Sequence, residues 1–156
     1  MKNVLFLDFD GVVNTPIWNE LGTECRYGNP FGGKVNNFQA VQWVSEFCEK
    51  FDYGIVVTST WRRDPKYPVY LRQGGLRENI QILGRTPSLD DVCRGDEIQA
   101  YLDEHPEIEN FIIFDDENDM GHLKNHLIQC HSLIGFTMRE FYKAKELHEL
   151  MALNNK

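Results

Sequence analysis

The sequence predicts an α/β fold, a mainly parallel sheet with helices covering both of its faces. Two observations carry this. Short apolar runs suited to buried strands alternate with segments of helical period. Three of those runs also end in polar clusters, Asp8/Asp10, Thr58-Ser59-Thr60 and Asp115-Asp116. In a parallel sheet the carboxyl ends of the strands share one edge, so the three clusters are expected to meet there.

The first strand is read over residues 4–7, and it closes on Asp8-Phe9-Asp10-Gly11. Asp is a poor strand former, so two of them at the end of an apolar strand call for a reason other than folding. Residues 14–33 show no clear element, and their glycines and aromatics (Trp18, Tyr27, Phe31) suggest a flap over the site. A helix follows, with Phe38, Val41, Val44 and Cys48 at the spacing of one apolar face. Residues 55–57 form the strand that closes on Thr58, and residues 62–75 are again without a clear element. A weaker strand is read at 80–83. Ile98, Tyr101 and Leu102 then mark a helix that Pro106 ends. Residues 111–114 make the strand before Asp115-Asp116, and a second weak strand is read at 132–134. The last helix opens with the capping box Thr137-Met138-Arg139-Glu140 and sets Phe141, Ala144, Leu147 and Met151 along one face.

With 156 residues, the chain is expected to be a single domain over 1–156, with ordinary proportions of hydrophobic (42%) and charged (26%) residues. No apolar run approaches the roughly 20 residues of a membrane span. Only Lys2 precedes the first apolar stretch, which runs into Asp8, so no signal peptide and no membrane partner are expected. Cys25, Cys48, Cys93 and Cys130 form no CxxC pair. That spacing argues against zinc and disulfide frameworks and suits a reducing cytoplasm. A net charge of −8 repels nucleic acid overall, so such a partner would need a local basic patch.

Gathered at one edge, Asp8, Asp10, Asp115, Asp116 and Asp119 would repel one another unless a cation neutralised them. An all-oxygen set without His or Cys suits Mg²⁺, which polarises phosphoryl groups. In that setting Asp8 is the candidate nucleophile, attacking phosphorus to give an aspartyl-phosphate. Asp10, on the loop just past the strand, is the candidate acid and base. Gly11 lets the chain turn sharply beside a substrate, and Thr58 and Ser59 offer hydroxyls to phosphoryl oxygens. Arg94, at the start of the helix containing Ile98, is the candidate cation for the transition state. Several residues stay open to two readings. Asp119 reads equally as a metal ligand or a helix cap. Arg62 and Arg63 read as contacts to a polyanionic substrate or as ordinary surface. Ser59 and Thr60 also suit turn amides, and Trp61 suits core or rim packing. His122 and His126 have a zinc-like spacing but no third ligand, and read as surface residues.

These residues resemble, in order, the motifs of the haloacid dehalogenase (HAD) superfamily of phosphohydrolases. Asp8-Phe9-Asp10-Gly11-Val12 resembles its first motif, Val56-Val57-Thr58 its second, and Ile113-Phe114-Asp115-Asp116 with Asp119 its fourth. The basic third motif is matched by Arg94, with Lys66 as the alternative. Thr58-Ser59-Thr60-Trp61-Arg62, residues 94–102 and Asp115-Asp116-Glu117-Asn118-Asp119 look like a small bacterial and phage group related to the HAD domains of RNA-repair (Swiss Army Knife) proteins. The resemblance implies a Rossmann-like, three-layer HAD sandwich without a large cap domain, Mg²⁺ as cofactor and an aspartyl-phosphate. It implies a phosphatase for phosphate monoesters, on a small molecule or a nucleic-acid end, with no obligate protein partner. The alternatives are a phosphotransferase of the same fold, or a non-catalytic HAD-like binding module in a repair or phage assembly.

Overall fold

A computed structural model describes residues 3–18, 25–27 and 33–156. Strand β1 (Asn3–Leu7) leads into a short antiparallel pair, β2 (Pro16–Trp18) and β3 (Cys25–Tyr27). Helix α1 (Phe38–Phe51) returns the chain to β4 (Gly54–Val57), and α2 (Tyr67–Gln73) leads on to β5 (Ile82–Arg85). Helix α3 (Arg94–Glu104), β6 (Asn110–Asp115), β7 (Leu127–Gln129) and α4 (Met138–Asn154) complete the order.

The main sheet has the order β5-β4-β1-β6-β7, and all its strands run parallel. From the central β1 the chain steps outward to β4 and β5, then returns to build β6 and β7 on the other side. The direction of winding therefore switches between β1 and β6, where open sheets of this Rossmann-like kind form their ligand crevice. Among the described residues no large cap domain accompanies the sheet.

Alternation along the strands divides the core into two layers. Leu5, Leu7, Ile55, Val57, Ile112 and Phe114 pack with α1, α2 and α4 on one face. Val4, Phe6, Val56 and Ile113 meet Ile98 of α3, Met120 and Leu123 on the other. Fully burying a side chain such as Leu7, Phe47 or Phe114 contributes about 1.5–3 kcal/mol. This core is the anchorage against which the carboxyl edge is held.

The three strongly apolar strands and the helices around Val44, Ile98 and Phe141 lie where the sequence predicts them. Thr137 caps α4 through the expected box with Glu140. Four local readings differ. The last strand is Leu127–Gln129, whereas 132–134 is a turn in which His131 accepts the amides of Ile134 and Gly135. Its Leu133 and Ile134 are exposed because Gly135, at φ +81°, bends the chain before the pair can reach the sheet. The weak strand placed at 80–83 runs instead from Ile82 to Arg85. Helix α2 occupies part of the stretch read as irregular. Its buried Tyr67, Tyr70 and Leu71 keep helical spacing, and Pro68 stands in the first turn, where a missing N–H costs nothing. Phe38 opens α1 but is 61% exposed, so the buried stripe consists of Val41, Val44 and Cys48 with Ala40 and Phe47.

The β2–β3 pair lies within the segment expected as a flap. Phe31 and the side chains of Trp18 and Tyr27 lie outside the described residues. Among the described residues no helix is long and apolar enough to cross a membrane.

Candidate active site

Strand register builds the site. Leu7 pairs with Val57 on one side and with Phe114 on the other. The next residue on each strand is therefore Asp8, Thr58 or Asp115, and the three stand side by side at the carboxyl edge. The amide of Asp8 donates to Phe114 O, and that of Thr58 donates to Leu7 O, so the alignment persists past the strand ends.

Beyond Asp8 the chain folds into a tight loop in which Phe9 O accepts the amides of Val12, Val13 and Asn14. The loop presents Asp10 at the edge. Its Oδ1 accepts both Asn14 Nδ2–H (2.8 Å) and the Trp61 indole N–H (3.2 Å), and no hydrogen bond involves its other oxygen among the described residues. Trp61 itself packs edge-to-face on Phe9 and Tyr70. Gly11 holds φ +81°, and a Cβ there would lie 2.4 Å from Asp116 Cγ. Its missing side chain is the space Asp116 occupies.

Arg94 reaches the edge from the first turn of α3. Its Nη1 lies 3.1 Å from Asp8 Oδ1, 3.5 Å from Asp115 Oδ2 and 3.3 Å from Thr58 Oγ1. Close packing under the helix start makes this reach possible. Gly95 donates its amide to Asp119 O, and a Cβ on Gly95 would fall 2.1 Å from Met120 O. Asp119 Oδ2 accepts the Arg94 amide, so Asp119 caps the helix as well as lining the pocket. Lys66 is exposed at the start of α2 and does not line the pocket.

The pocket has a volume of about 240 Å³ and is lined by Asp8, Asp10, Thr60, Arg94, Asp115, Asp116, Glu117 and Asp119. Burial pushes the pKa of Asp8 up to about 6; Arg94 opposes this and Asp116 reinforces it. Burial, followed by the charge of Asp8, pushes that of Asp115 up to about 9. Burial works against the charge on Arg94, but Asp8 and Asp115 outweigh it and raise its pKa.

Two residues expected to touch substrate serve the fold instead. Ser59 Oγ accepts the Trp61 amide and caps a 3-10 turn over Thr60–Arg63, and Thr60 rather than Ser59 lines the pocket. Arg62 is 3% exposed. Its five N–H donors go to Thr58 O, Ser59 O, Thr86 O, Pro87 O and Glu97 Oε2. A buried arginine saturated in this way ties the ends of β4 and β5 to α3 and keeps no donor for a ligand. His122 bonds Gln99, and His126 stacks on Phe111, both away from the edge. Asn14 and Glu117 are contributors that sequence reasoning passed over, and Trp61, read there as packing, packs as expected but also donates its indole N–H to Asp10. An indole N–H in the first turn after a polar strand end was the available signal for Trp61.

The family model for the HAD domain in Swiss Army Knife RNA repair proteins matches residues 4–141. The chain belongs to this family. No curated protein matches it. HAD domains generally use Mg²⁺, and the residues of this HAD domain fit such an ion. Asp8, Asp115 and Asp116 each offer an oxygen within 4.8 Å of the others. Asp115 Oδ2 is buried and accepts no hydrogen bond, with the Arg94 guanidinium 3.5 Å away, which leaves the oxygen open to coordinate a cation. The donors are all hard oxygens. Asp10 and Asp119, also expected as ligands, fall outside this tight cluster, with Asp10 Oδ1 and Asp119 Oδ2 engaged by Trp61, Asn14 and the Arg94 amide.

Proposed function

We propose that this HAD domain is a Mg²⁺-dependent phosphatase that hydrolyses phosphate monoesters through an aspartyl-phosphate on Asp8, acting on nucleotides or nucleic-acid ends. The observation that carries the reading is Arg94 set between Asp8 and Thr58, beside a carboxylate cluster with a buried oxygen that accepts no hydrogen bond. Asp8, Asp115 and Asp116 would hold Mg²⁺, which when bound neutralises their charge and polarises a phosphoryl group. The substrate class draws on the occurrence of the matched domains in RNA repair proteins.

The residues divide the work. An Asp8 carboxylate oxygen attacks phosphorus, and the bond from phosphorus to the ester oxygen breaks. That oxygen takes a proton from Asp10. Water then attacks the same phosphorus, gives its proton to Asp10, and the Asp8–phosphorus bond breaks to release inorganic phosphate. The Arg94 guanidinium and the Thr58 hydroxyl hold the phosphoryl oxygens while charge builds on them. Asp10 meets Trp61 and Asn14 through Oδ1, which leaves Oδ2 to carry the proton.

Purified protein with Mg²⁺ should release phosphate from a panel of p-nitrophenyl phosphate, nucleotides and 5′- or 3′-phosphorylated oligonucleotides, and EDTA should stop it. No release from any member, with no phosphoenzyme mimic formed by beryllium fluoride, would refute the reading.

Trp61→Phe keeps the ring but loses the N–H to Asp10. The expected result is a kcat loss of about tenfold or more for an alkyl phosphate, whose leaving group needs the proton. The loss should be smaller for p-nitrophenyl phosphate, with KM little changed for both. Equal losses with the two substrates would assign Trp61 to packing alone.

A further inference from the structure

Beside the pocket, across the ends of β4 and β5, runs a groove of about 380 Å³ lined by Arg62, Arg63, Arg85, Thr86, Pro87 and Ser88. We propose that this groove binds the phosphodiester backbone of a single-stranded nucleic acid whose terminal phosphate lies in the carboxylate pocket. The proposal rests on the phosphatase reading for the role of the terminal phosphate, and on the groove's own chemistry for the strand.

Placement is the first argument. The groove shares the carboxyl edge of the sheet with the pocket. Adjacent strands are about 4.8 Å apart, so β5 lies about 10 Å from the strand that ends in Asp8. The pocket is small, so the leaving group of any sizeable ester must lie outside it, and the groove is one strand away. The chain between them is one short turn, in which Thr60 lines the pocket and Arg62 and Arg63 line the groove.

Charge is the second argument. Among the described residues no carboxylate lines the groove, in a chain of net charge −8 and next to a pocket lined mainly by carboxylates. Of the other arginines, Arg77 pairs with Glu46 and Glu49, Arg62 with Glu97 and Arg94 with Asp8, whereas Arg72 spends its donors on the carbonyls of Arg77 and Ile80. Arg63 and Arg85 are exposed and have no ion pair among the described residues. Neutral groups hold both in place. Arg63 donates through Nε and Nη2 to Ser88 Oγ. Arg85 donates through Nη1 to Arg62 O and lies over the Tyr67 ring at 5.7 Å. Two guanidinium forks are thus oriented at little cost in freedom, with charge and donors left open, and phosphate is the anion that such forks match. Burial lowers the pKa of Arg62, Glu97 and Asp8 oppose this, and the neighbouring charges of Arg94 and Arg63 lower it further.

The test compares the wild type with Arg63→Ala/Arg85→Ala. The probes are a fluorescein-labelled ten-nucleotide single strand with a terminal phosphate and a phosphopeptide of equal charge. In fluorescence anisotropy with Mg²⁺, the wild type should bind the strand more tightly than the peptide. The double variant should bind the strand at least tenfold more weakly. Its slope of log Kd against log salt should be shallower by about 1.4, the loss of two phosphate contacts on a single strand. The ratio of kcat/KM for the strand to that for p-nitrophenyl phosphate should also fall at least tenfold. Equal strand binding by the two proteins, or preference for the phosphopeptide, would overturn the proposal. Strand binding that depends on both arginines, in a protein that hydrolyses nothing, would sustain the groove and refute the phosphatase reading.

Discussion

Asp8→Asn should lower phosphate release by at least about 10⁴-fold, the scale of removing a covalent nucleophile. Asn matches Asp in shape and leaves an oxygen for Arg94, but its amide lacks the anionic oxygen that the attack on phosphorus requires. The fold should not suffer, because the substitution removes one charge from a crowded set of carboxylates in which Asp8 is 7% exposed. Phosphate release and thermal melting of the same preparation check both halves. Turnover above a hundredth of the wild-type value would take Asp8 out of the nucleophile's role.

Asp115→Asn should produce the largest change in stability, with opposite signs in the absence and presence of Mg²⁺. Burial and the charge of Asp8 raise the Asp115 pKa to about 9, far above the roughly 3.9 of an unfolded aspartate. A group whose pKa rises on folding supports the fold fully below its unfolded value, and that support is lost as pH climbs through the folded value. The metal-free wild type should therefore lose Tm relative to Asp115→Asn between pH 5 and pH 9. Mg²⁺ favours the ionised carboxylates, so it should raise the wild-type Tm most at the alkaline end and leave the variant nearly unmoved. Melting curves in EDTA and in Mg²⁺ across that range measure both effects. A variant that melts below the metal-free wild type at pH 8, or that retains the Mg²⁺ shift, would contradict the assignment.

Most of what positions the site was legible because it depends on strand ends. An apolar run that stops at a polar residue states its own register, and three such runs in a parallel sheet leave little freedom in how Asp8, Thr58 and Asp115 meet. Arg94 was legible as a cation at a helix start. Arg62 was not. Its sequence setting, next to Arg63 in a polar stretch, is that of a surface residue, and only the carbonyls of Thr86 and Pro87, brought close by β5, bury it. Helix α2 escaped for a similar reason. A seven-residue segment with Pro and three residues of poor helix propensity is stable only through what Tyr67, Tyr70 and Leu71 bury. The strand at Leu127–Gln129 was obscured by its brevity and by the histidine before it, and its pairing with β6 supplies what its composition lacks.

The contact between Gly11 and Asp116 has a consequence for altering this protein. Two loops far apart in the chain share one surface, at 2.4 Å from where a methyl group would begin. A side chain at 11 would meet the Asp116 carboxylate and would also strain a backbone held at φ +81°, so a smaller group at 116 removes the clash and leaves the strain, whereas 116 can shrink freely while 11 stays bare. The coupling runs one way: the cost of a side chain at 11 should fall, without vanishing, when 116 is smaller. A library that varies the first loop should therefore hold position 11 as glycine, while the loop at 116 can be varied on its own.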